Sequence, residues 1–324
     1  MFTIDDLKAA QNIVYRQMAP TAQIHWPQLS QRIGAEVIVK HENHAPTGAF
    51  KVRGGITFID WLQREHPEAR GIITATRGNH GQSQARAAAA AGLKSKIYVP
   101  IGNSPEKNAA MRAYGGEVIE FGADFDEAKA EAIRVAQSED LFVVPPFHPA
   151  LIRGVSTYAY ELMTAHPDLD AIYVAIGCGS GICGTIAARD ALGLDTKVIA
   201  VVSENFPTAK LSVEAGHLVP TGAAKSFADG IAVREPVQAA YDIYSKGAER
   251  FVTVSDAEIA QAIRVYFSDT HNPAEGAGGA ALAGLMQESE AMRGQKVAVI
   301  LSGGNIDSDW FAQILNGQQP KLPA

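Results

Sequence analysis

A chain of 324 residues, 47% hydrophobic and 19% charged, is long enough for a large core and lies near the length at which one core divides into two. Its 28 lysines and arginines against 35 aspartates and glutamates give a formal net charge of −7, without the basic stretches that bind nucleic acid. The N-terminus is acidic and amphipathic, and no apolar stretch approaches the roughly 18 residues of a membrane-spanning helix, so we expect a cytoplasmic protein outside the membrane.

Short β-branched stretches alternate with longer alanine-rich stretches along the chain. Helical periodicity predicts helices at 81–91, 126–137 and 256–268, between strands. Strands that are apolar on both faces and separated by helices are typical of parallel sheets covered on both sides. We therefore predict an α/β fold of two doubly wound domains with mostly parallel sheets, whose strands are residues 35–40, 71–76, 95–100, 116–121, 141–146, 171–176, 197–202, 250–254 and 296–301.

Lys51 lies in the apolar, glycine-bounded stretch PTGAFKVRGG, between Phe50 and Val52. It follows the first predicted strand and begins a predicted helix, so the helix N-terminus and its apolar neighbours would lower the pKa of the amine. A lysine amine with a lowered pKa can attack an aldehyde and later move a proton. The alternative is a surface lysine at the start of a helix, and the other motifs decide between the two.

Three glycine-rich turns each follow a predicted strand: TRGNHGQ (76–82), GCGSGICG (177–184) and SGGNID (302–307). In open parallel sheets, ligands bind at the carboxyl ends of strands, where such turns converge. The 177–184 turn suits a phosphate, because its glycines let successive backbone N–H groups point inward and the next helix adds its positive end. The alternative is a turn that only packs a helix against a strand.

A nicotinamide-dependent oxidoreductase is one interpretation of this phosphate site. Gly179, Gly181 and Gly184 have the spacing of the dinucleotide fingerprint, and Glu204 ends the next strand about 20 residues later, where a ribose-binding acid would stand. This interpretation explains one of the three turns. It leaves the 76–82 and 302–307 turns and Lys51 without a role.

A second interpretation uses all three turns and the lysine. A cofactor with one phosphate and one aldehyde needs a phosphate cradle, a lysine amine for a Schiff base, and polar partners for its ring hydroxyl and ring nitrogen. Four separate loops can supply these groups, with Lys51, Asn79 and Ser302 beside the 177–184 turn.

Taken together, the motifs HENHAPTGAFKVRGG, TRGNHGQS, GCGSGICG and LSGGNID resemble those of the fold-type II pyridoxal-phosphate enzymes, specifically the serine/threonine dehydratase and serine racemase family. The resemblance covers nearly the whole chain and implies a fold similar to the tryptophan synthase β chain. The proline-rich stretch 145–154 is interpreted as the return from one sheet to the other. We thus expect a large cofactor-binding domain (1–65 and 149–324), a small domain that closes on the substrate (66–148), and a homodimer.

The resemblance also implies roles for individual residues. Lys51 carries the Schiff base and, with Ser302, is catalytic; Ser302 faces the pyridine nitrogen and Asn79 the ring hydroxyl. The expected cofactor-binding residues are Phe50, Lys51, Asn79, Cys178, Gly179, Ser180, Gly181, Glu275 and Ser302. The expected substrate-binding residues are Thr76, Arg77, Gly78, Asn79 and His80.

The implied activity is that of an ammonia-lyase, a carbon–oxygen lyase. It would convert an L-3-hydroxy amino acid, threonine-like, serine-like or with a bulkier or polar 3-substituent, to a 2-oxo acid and ammonia by α,β-elimination. A hydroxyl at the ring nitrogen can leave the ring unprotonated, which suits fast elimination better than a long-lived carbanion. An amino-acid racemase of the same family is the alternative.

Two positions depart from the family pattern. Arg77 stands where the racemase carries a serine that acts on the opposite face of the substrate, which argues against racemisation. Arg77 either contacts the substrate or points to solvent. Lys210 stands at the second acid of a cation site in which Glu204 is the first; a lysine ammonium cannot ligate a cation and can itself neutralise Glu204, so we predict that divalent metal does not activate the enzyme.

Overall fold

The computed structural model describes residues 1–222 and 224–322, which form two sheets flanked by helices. The strands are β1 (Gln23–His25), β2 (Glu36–His41), β3 (Gly71–Ala75), β4 (Lys94–Val99), β5 (Glu117–Glu120), β6 (Phe142–Val143), β7 (Ala171–Ala175), β8 (Lys197–Ser203), β9 (Arg250–Val254) and β10 (Lys296–Leu301). The helices are α1 (Ile4–Val14), α2 (Pro27–Ile33), α3 (Lys51–Glu65), α4 (Asn79–Ala90), α5 (Pro105–Ala113), α6 (Phe125–Glu139), α7 (Pro149–Ala165), α8 (Ser180–Leu192), α9 (Thr208–Ala215), α10 (Gln238–Gly247), α11 (Asp256–Thr270), α12 (Gly276–Gln287) and α13 (Ser308–Leu315). Within these described ranges, none of the helices is long and apolar enough to cross a membrane.

The larger sheet has the strand order β1-β2-β10-β7-β8-β9 in the described chain. Every neighbouring pair is parallel except β1 and β2, which are antiparallel. Along β2, Val37 and Val39 point into one hydrophobic core and Ile38 into another, on the opposite face. Burial on both faces confirms the predicted parallel sheet. Strand β1 was not predicted, because its three residues, QIH, carry too little apolar pattern.

The smaller sheet has the order β5-β4-β3-β6, and its pairs are all parallel among the described residues. Its strands lie between residues 71 and 143. The proline-rich stretch that follows leads into α7, where Pro149 occupies the first turn and the ring of His148 accepts a hydrogen bond from the Ala150 amide at 3.2 Å. The domain limits at 65–66 and 148–149 stay a prediction.

A network of buried charges ties the larger sheet to α3 and α7. Arg53 lies in α3, two residues after Lys51. Its guanidinium donates to Glu42 at 2.7 Å and to Glu161 at 2.6 Å. Lys40 also donates to Glu161, at 2.5 Å. The side chains of Arg53 and Lys40 are fully buried, and each is paired with a carboxylate, as buried charges must be. The network therefore fixes the start of α3 below the site.

Candidate active site

Lys51 is placed by the turn that follows β10. The Phe50 amide donates to the Ser302 carbonyl at 3.0 Å, and Ala49 forms an isolated β-bridge with Gly303. The Lys51 amine donates to Ser180 Oγ at 3.0 Å and lies 5.0 Å from the centroid of the Phe50 ring. Burial lowers the pKa of Lys51, although Cys178 and Glu275 act to raise it. A larger share of the neutral, nucleophilic amine is the consequence.

The glycine turn before α8 is shaped for an anion. Gly179 has φ of 97°, in the left-handed region that favours glycine, and no side chain caps the described N-terminus of α8. A Cβ on Gly177 would lie 2.3 Å from the Gly230 carbonyl oxygen, so the backbone there admits no side chain. Tyr158 donates to the Gly181 carbonyl at 2.9 Å and holds the turn in place. An uncapped helix start beside a lysine whose pKa is lowered fits a cofactor with a phosphate and an aldehyde.

The turn between β3 and α4 presents a second uncapped helix N-terminus. The Gly78 amide donates to Thr76 Oγ1 at 3.1 Å, which shapes the turn, and α4 begins at Asn79 without a side-chain cap in the described structure. His80 Nε2 is buried and has no hydrogen-bond partner among the described residues. Burial, with a contribution from Lys51, lowers the pKa of His80 to about 3, so the ring is neutral.

Asn79 and Glu275 form the contact between this turn and α12. Asn79 Nδ2 donates to Glu275 Oε1 at 2.6 Å, and Asn79 Oδ1 accepts from Asn305 at 2.8 Å. The second oxygen of Glu275 is buried without a partner in the described chain. Burial raises the pKa of Glu275 to about 7, although Lys107 acts to lower it. One amide hydrogen of Asn79 and one carboxyl oxygen thus remain for a ligand.

Ser302 directly follows β10, in the cleft formed by Lys51, the 178–181 turn, Asn79 and Glu275, and is 9% exposed. A Cβ on the next residue, Gly303, would lie 2.3 Å from Glu275 Oε1 and 3.0 Å from Ala49 Cβ, so the turn passes closely between these two. The structure therefore brings together Lys51, the 178–181 turn, Asn79, Glu275 and Ser302. The individual roles assigned to them stay predictions.

Arg77 is the predicted substrate residue that the structure leaves outside this cluster. Its side chain is exposed, whereas Thr76 and Gly78 on either side are buried. The sequence left two alternatives for Arg77, contact with the substrate or orientation towards solvent, and in this structure the side chain points to solvent. Its role in recognition stays a prediction.

The predicted pair of Lys210 and Glu204 is corrected by the structure. Lys210 Nζ lies 3.3 Å from Thr253 Oγ1 and 3.9 Å from Glu214 Oε1, while Glu204 is exposed. Glu214 lies one helical turn after Lys210, so it meets the ammonium more readily. Over residues 1–222 and 224–322, no three His, Cys, Asp or Glu side chains are grouped as a metal site would require.

Three residues of the cleft were not identified from the sequence. Asn305 lies inside the SGGNID motif, so an amide directly after a glycine pair was the signal available. Lys107 and Asp229 form an ion pair at 2.5 Å across the cleft, and no local pattern marks either of them.

Comparisons with known proteins agree with this geometry. The pattern of the family described as Pyridoxal-phosphate dependent enzyme matches residues 14–303. The chain is 34% identical over 317 residues to L-threonine ammonia-lyase of Thermotoga maritima, covering 98% of this chain and 79% of that protein. It is 36% identical over 297 residues to the biosynthetic L-threonine dehydratase IlvA of Salmonella typhimurium, covering 91% of this chain but 58% of that longer protein.

Two solved structures share the fold over nearly the whole chain. The processed form of threonine deaminase isoform 2 from Solanum lycopersicum superposes with a TM-score of 0.89 at 28% identity, covering 98% of this chain and 94% of that one. A pyridoxal 5'-phosphate-dependent aspartate racemase has a TM-score of 0.89 at 28% identity, covering 95% and 97%. Membership of a pyridoxal-phosphate family decides against the nicotinamide alternative. The chain belongs to the pyridoxal-phosphate-dependent enzymes of fold type II, in the serine/threonine dehydratase family.

Proposed function

We propose that this protein is a pyridoxal-phosphate-dependent ammonia-lyase. It converts an L-3-hydroxy amino acid of the threonine or serine type to a 2-oxo acid and ammonia. The observation that carries the proposal is the Lys51 amine, 3.0 Å from Ser180 on the glycine turn and in the same cleft as Asn79, Glu275 and Ser302. The relatives named threonine ammonia-lyase and threonine dehydratase support the same reaction class.

The cleft fits the cofactor through separate groups. The backbone of residues 178–181 would hold the phosphate, Asn79 the ring hydroxyl and Ser302 the ring nitrogen, with Phe50 beside the ring. Pyridoxal phosphate, when bound, supplies an aldehyde that condenses with amines and a ring that accepts the electron pair left at the α-carbon of the substrate. The protein supplies orientation and proton transfer.

Lys51 is the base in this proposal. Its pKa is lowered by burial, so the amine can take the α-proton of the substrate and hold it. Ser302 offers a neutral hydroxyl, which does not force a proton onto the ring nitrogen. The β-hydroxyl would then leave as water, with a proton from a nearby water molecule. Racemisation is disfavoured because Arg77 stands where the racemase carries the serine that acts on the opposite face of the substrate.

The uncapped N-terminus of α4 would bind the substrate carboxylate. Thr76, Gly78, Asn79 and His80 shape this turn, and the helix dipole favours an anion at its start. Arg77 would contact the carboxylate or a polar group beyond the β-carbon after turning inward from solvent. In this arrangement residues 66–148 form the small domain that closes on the substrate, and residues 1–65 and 149–324 the large one.

An absorbance spectrum of the purified protein tests the cofactor and its attachment. We expect a yellow band that borohydride removes and that Lys51→Ala lacks, whereas the exposed-lysine control Lys8→Ala keeps it. Ammonia and 2-oxo acid release from L-threonine, L-serine and 3-hydroxyaspartate tests the reaction. Conversion of an L-amino acid to its D-enantiomer without ammonia would instead identify a racemase. A colourless protein, active or inactive, would contradict the proposal.

We further propose that the enzyme is a cytoplasmic homodimer. Family resemblance supports the dimer, and the two cysteines, Cys178 and Cys183, are both free thiols, which agrees with a reducing compartment. Sedimentation equilibrium of the holoenzyme tests the first point, because a monomer has a mass of 34.4 kDa and a dimer twice that. Fractionation of the source cells tests the second. A single species at the monomer mass would exclude the dimer.

A further inference from the structure

Lys107 crosses the cleft from the smaller sheet to the larger one. It lies on α5, between β4 and β5, and its amine donates to Asp229 Oδ2 at 2.5 Å. Asp229 begins a 3₁₀ turn, Asp229–Ile231, 122 residues further along the chain. The side chains are 7% and 23% exposed, so this ion pair is largely shielded from water.

The Lys107 end of this pair rests on the proposed substrate turn. A Cβ on Gly78 would lie 2.9 Å from Lys107 Cδ, so the aliphatic stem of the lysine packs directly over that glycine. Gly78 is the N-cap residue of α4, whose free N–H groups are proposed to bind the carboxylate. The position of Lys107 therefore limits the position of the turn.

The Asp229 end rests on the proposed cofactor site. A Cβ on Gly177 would lie 2.3 Å from the Gly230 carbonyl oxygen, and a Cβ on Gly276 would lie 2.5 Å from Ala228 Cα. The segment around Asp229 therefore packs tightly against two parts of the site. One is the glycine turn at 177–181, and the other is the start of α12, which directly follows Glu275. Movement of this segment would disturb both.

The charges favour a maintained ion pair. Burial lowers the pKa of Lys107, but Asp229 and Glu275 outweigh burial and leave the pKa above its usual value. Lys107 is therefore an ammonium. A second contact reinforces the same face of α5, since Ser104 Oγ lies 2.5 Å from Asp307 Oδ1 and the Ser308 amide donates to Glu106 at 3.1 Å.

We propose that Lys107 and Asp229 form a latch that holds the cleft closed and thereby fixes the 76–80 turn where it binds the substrate carboxylate. Lys107 is a positioning residue in this proposal, which rests on the proposed function only for the identity of the substrate. Binding of the amino acid and closure of the latch are then coupled, because both need the same position of the turn. Loss of the ammonium leaves the Asp229 carboxylate, 23% exposed, without its ion-pair partner, and that state favours an open cleft.

The test compares Lys107→Met, Lys107→Arg, Asp229→Asn and the double variant Lys107→Met/Asp229→Asn, all as holoenzyme. Lys96→Met is the matched control, because Lys96 forms an ion pair of 2.6 Å with Glu139 inside the smaller sheet and its helices. Two readouts are needed: backbone hydrogen exchange in peptides 76–82 and 227–233 without substrate, and kcat and KM for ammonia release.

We expect Lys107→Met to speed exchange in both peptides and to raise KM by about tenfold or more, with a smaller change in kcat. Lys107→Arg should bring both the exchange rates of the two peptides and KM most of the way back to the wild-type values. Lys96→Met should resemble wild type in both measurements. The double variant should be no worse than either single variant, since one interaction is lost in each case. Unchanged exchange and KM in Lys107→Met, or additive effects in the double variant, would overturn the latch.

The two proposals fail in different ways. If wild-type holoenzyme releases no ammonia from any 3-hydroxy amino acid, the proposed function fails, while the exchange experiment still tests the latch. If wild type is active but exchange in the two peptides does not depend on Lys107, the latch fails alone. A variant that unfolds is recognised by exchange throughout the chain, and Lys107→Arg and Asp229→Asn then decide.

Discussion

The Lys51 amine donates a hydrogen bond to Ser180 Oγ at 3.0 Å, which joins the first residue of α3 to the first residue of α8. The two helices begin after different strands of the larger sheet, β2 and β7, and these strands flank β10. The contact places a nucleophilic amine next to the helix start best suited to a phosphate.

Replacement of Lys51 by methionine should abolish activity without loss of stability. The buried amine has a lowered pKa and one side-chain partner, so an apolar side chain of similar length avoids the cost of burying it. We expect ammonia release to fall at least about a thousandfold. The melting temperature of the cofactor-free variant should equal or exceed that of cofactor-free wild type. A clear fall in melting temperature would show that Lys51 also supports the fold.

Glu275 should make stability depend on pH. Its pKa of about 7 in the folded protein is above the ordinary value of 4.5, so the folded state retains a proton that the unfolded state has lost. Stability should therefore fall as the pH rises from about 4.5 to about 7, by at most roughly 3.5 kcal/mol, at about 1.4 kcal/mol per pKa unit. Glu275→Gln should flatten this part of the profile. Urea unfolding at several pH values measures the free energy of unfolding of both proteins. Profiles of wild type and Glu275→Gln that run parallel over this pH range would contradict the prediction.

Arg77 should affect the choice of substrate more than the rate of the chemical step. Its exposed guanidinium lies one residue from the buried Thr76 and Gly78, from which it can reach a substrate with a second acid. Arg77→Ser should reduce turnover of 3-hydroxyaspartate more than that of L-threonine or 3-phenylserine. The measurement is kcat/KM for each of the three substrates, with wild type and with Arg77→Ser, and the comparison is between the relative values for the substrates in the two proteins. Identical ratios would leave Arg77 as a solvent-facing residue.

Divalent cations should not activate the enzyme. By the family pattern Lys210 stands at the position of a second acid, and in the structure its ammonium lies 3.9 Å from Glu214, so a cation site that used this position has lost one ligand. Protein treated with a chelator should keep its activity, and added magnesium should not change it. A several-fold gain in activity on adding magnesium to chelator-treated protein would refute the prediction. Lys210→Asp is the matched variant in which such a gain could arise.

Arg53 should be the most costly arginine to remove. Arg53→Met leaves Glu42 and Glu161 buried with a lost partner, which costs about 3–5 kcal/mol of unfolding free energy. Arg64→Met is the control, because Arg64 pairs with Asp60 one helical turn away while their side chains are 54% and 26% exposed, and its loss should cost less than about 1 kcal/mol. Urea denaturation of the cofactor-free proteins measures both. Equal losses would mean that the network is not the stabilising element.

The sequence by itself predicted the strands of both sheets apart from β1, and it identified Lys51, Asn79, the 177–184 turn and Ser302. Each of these signals is local. An apolar stretch of five or six residues followed by glycines specifies a buried strand and the turn at its end within about ten residues. Parallel strands then bring their carboxyl ends to one edge of the sheet, which is why motifs far apart in the sequence can be assigned to one cleft from the sequence.

Only the tertiary structure decided the pairing of side chains. Glu275 meets Asn79 across 196 residues, Lys107 meets Asp229 across 122, and Arg53 meets Glu161 across 108. Lys210 likewise contacts Glu214 instead of Glu204, because helix α9 turns its ammonium towards the acid one turn away. A charged side chain carries no local mark of its partner, since the partner depends on how helices from distant parts of the chain pack. Packing also determines burial, and burial shifts the pKa values of Lys51, His80 and Glu275.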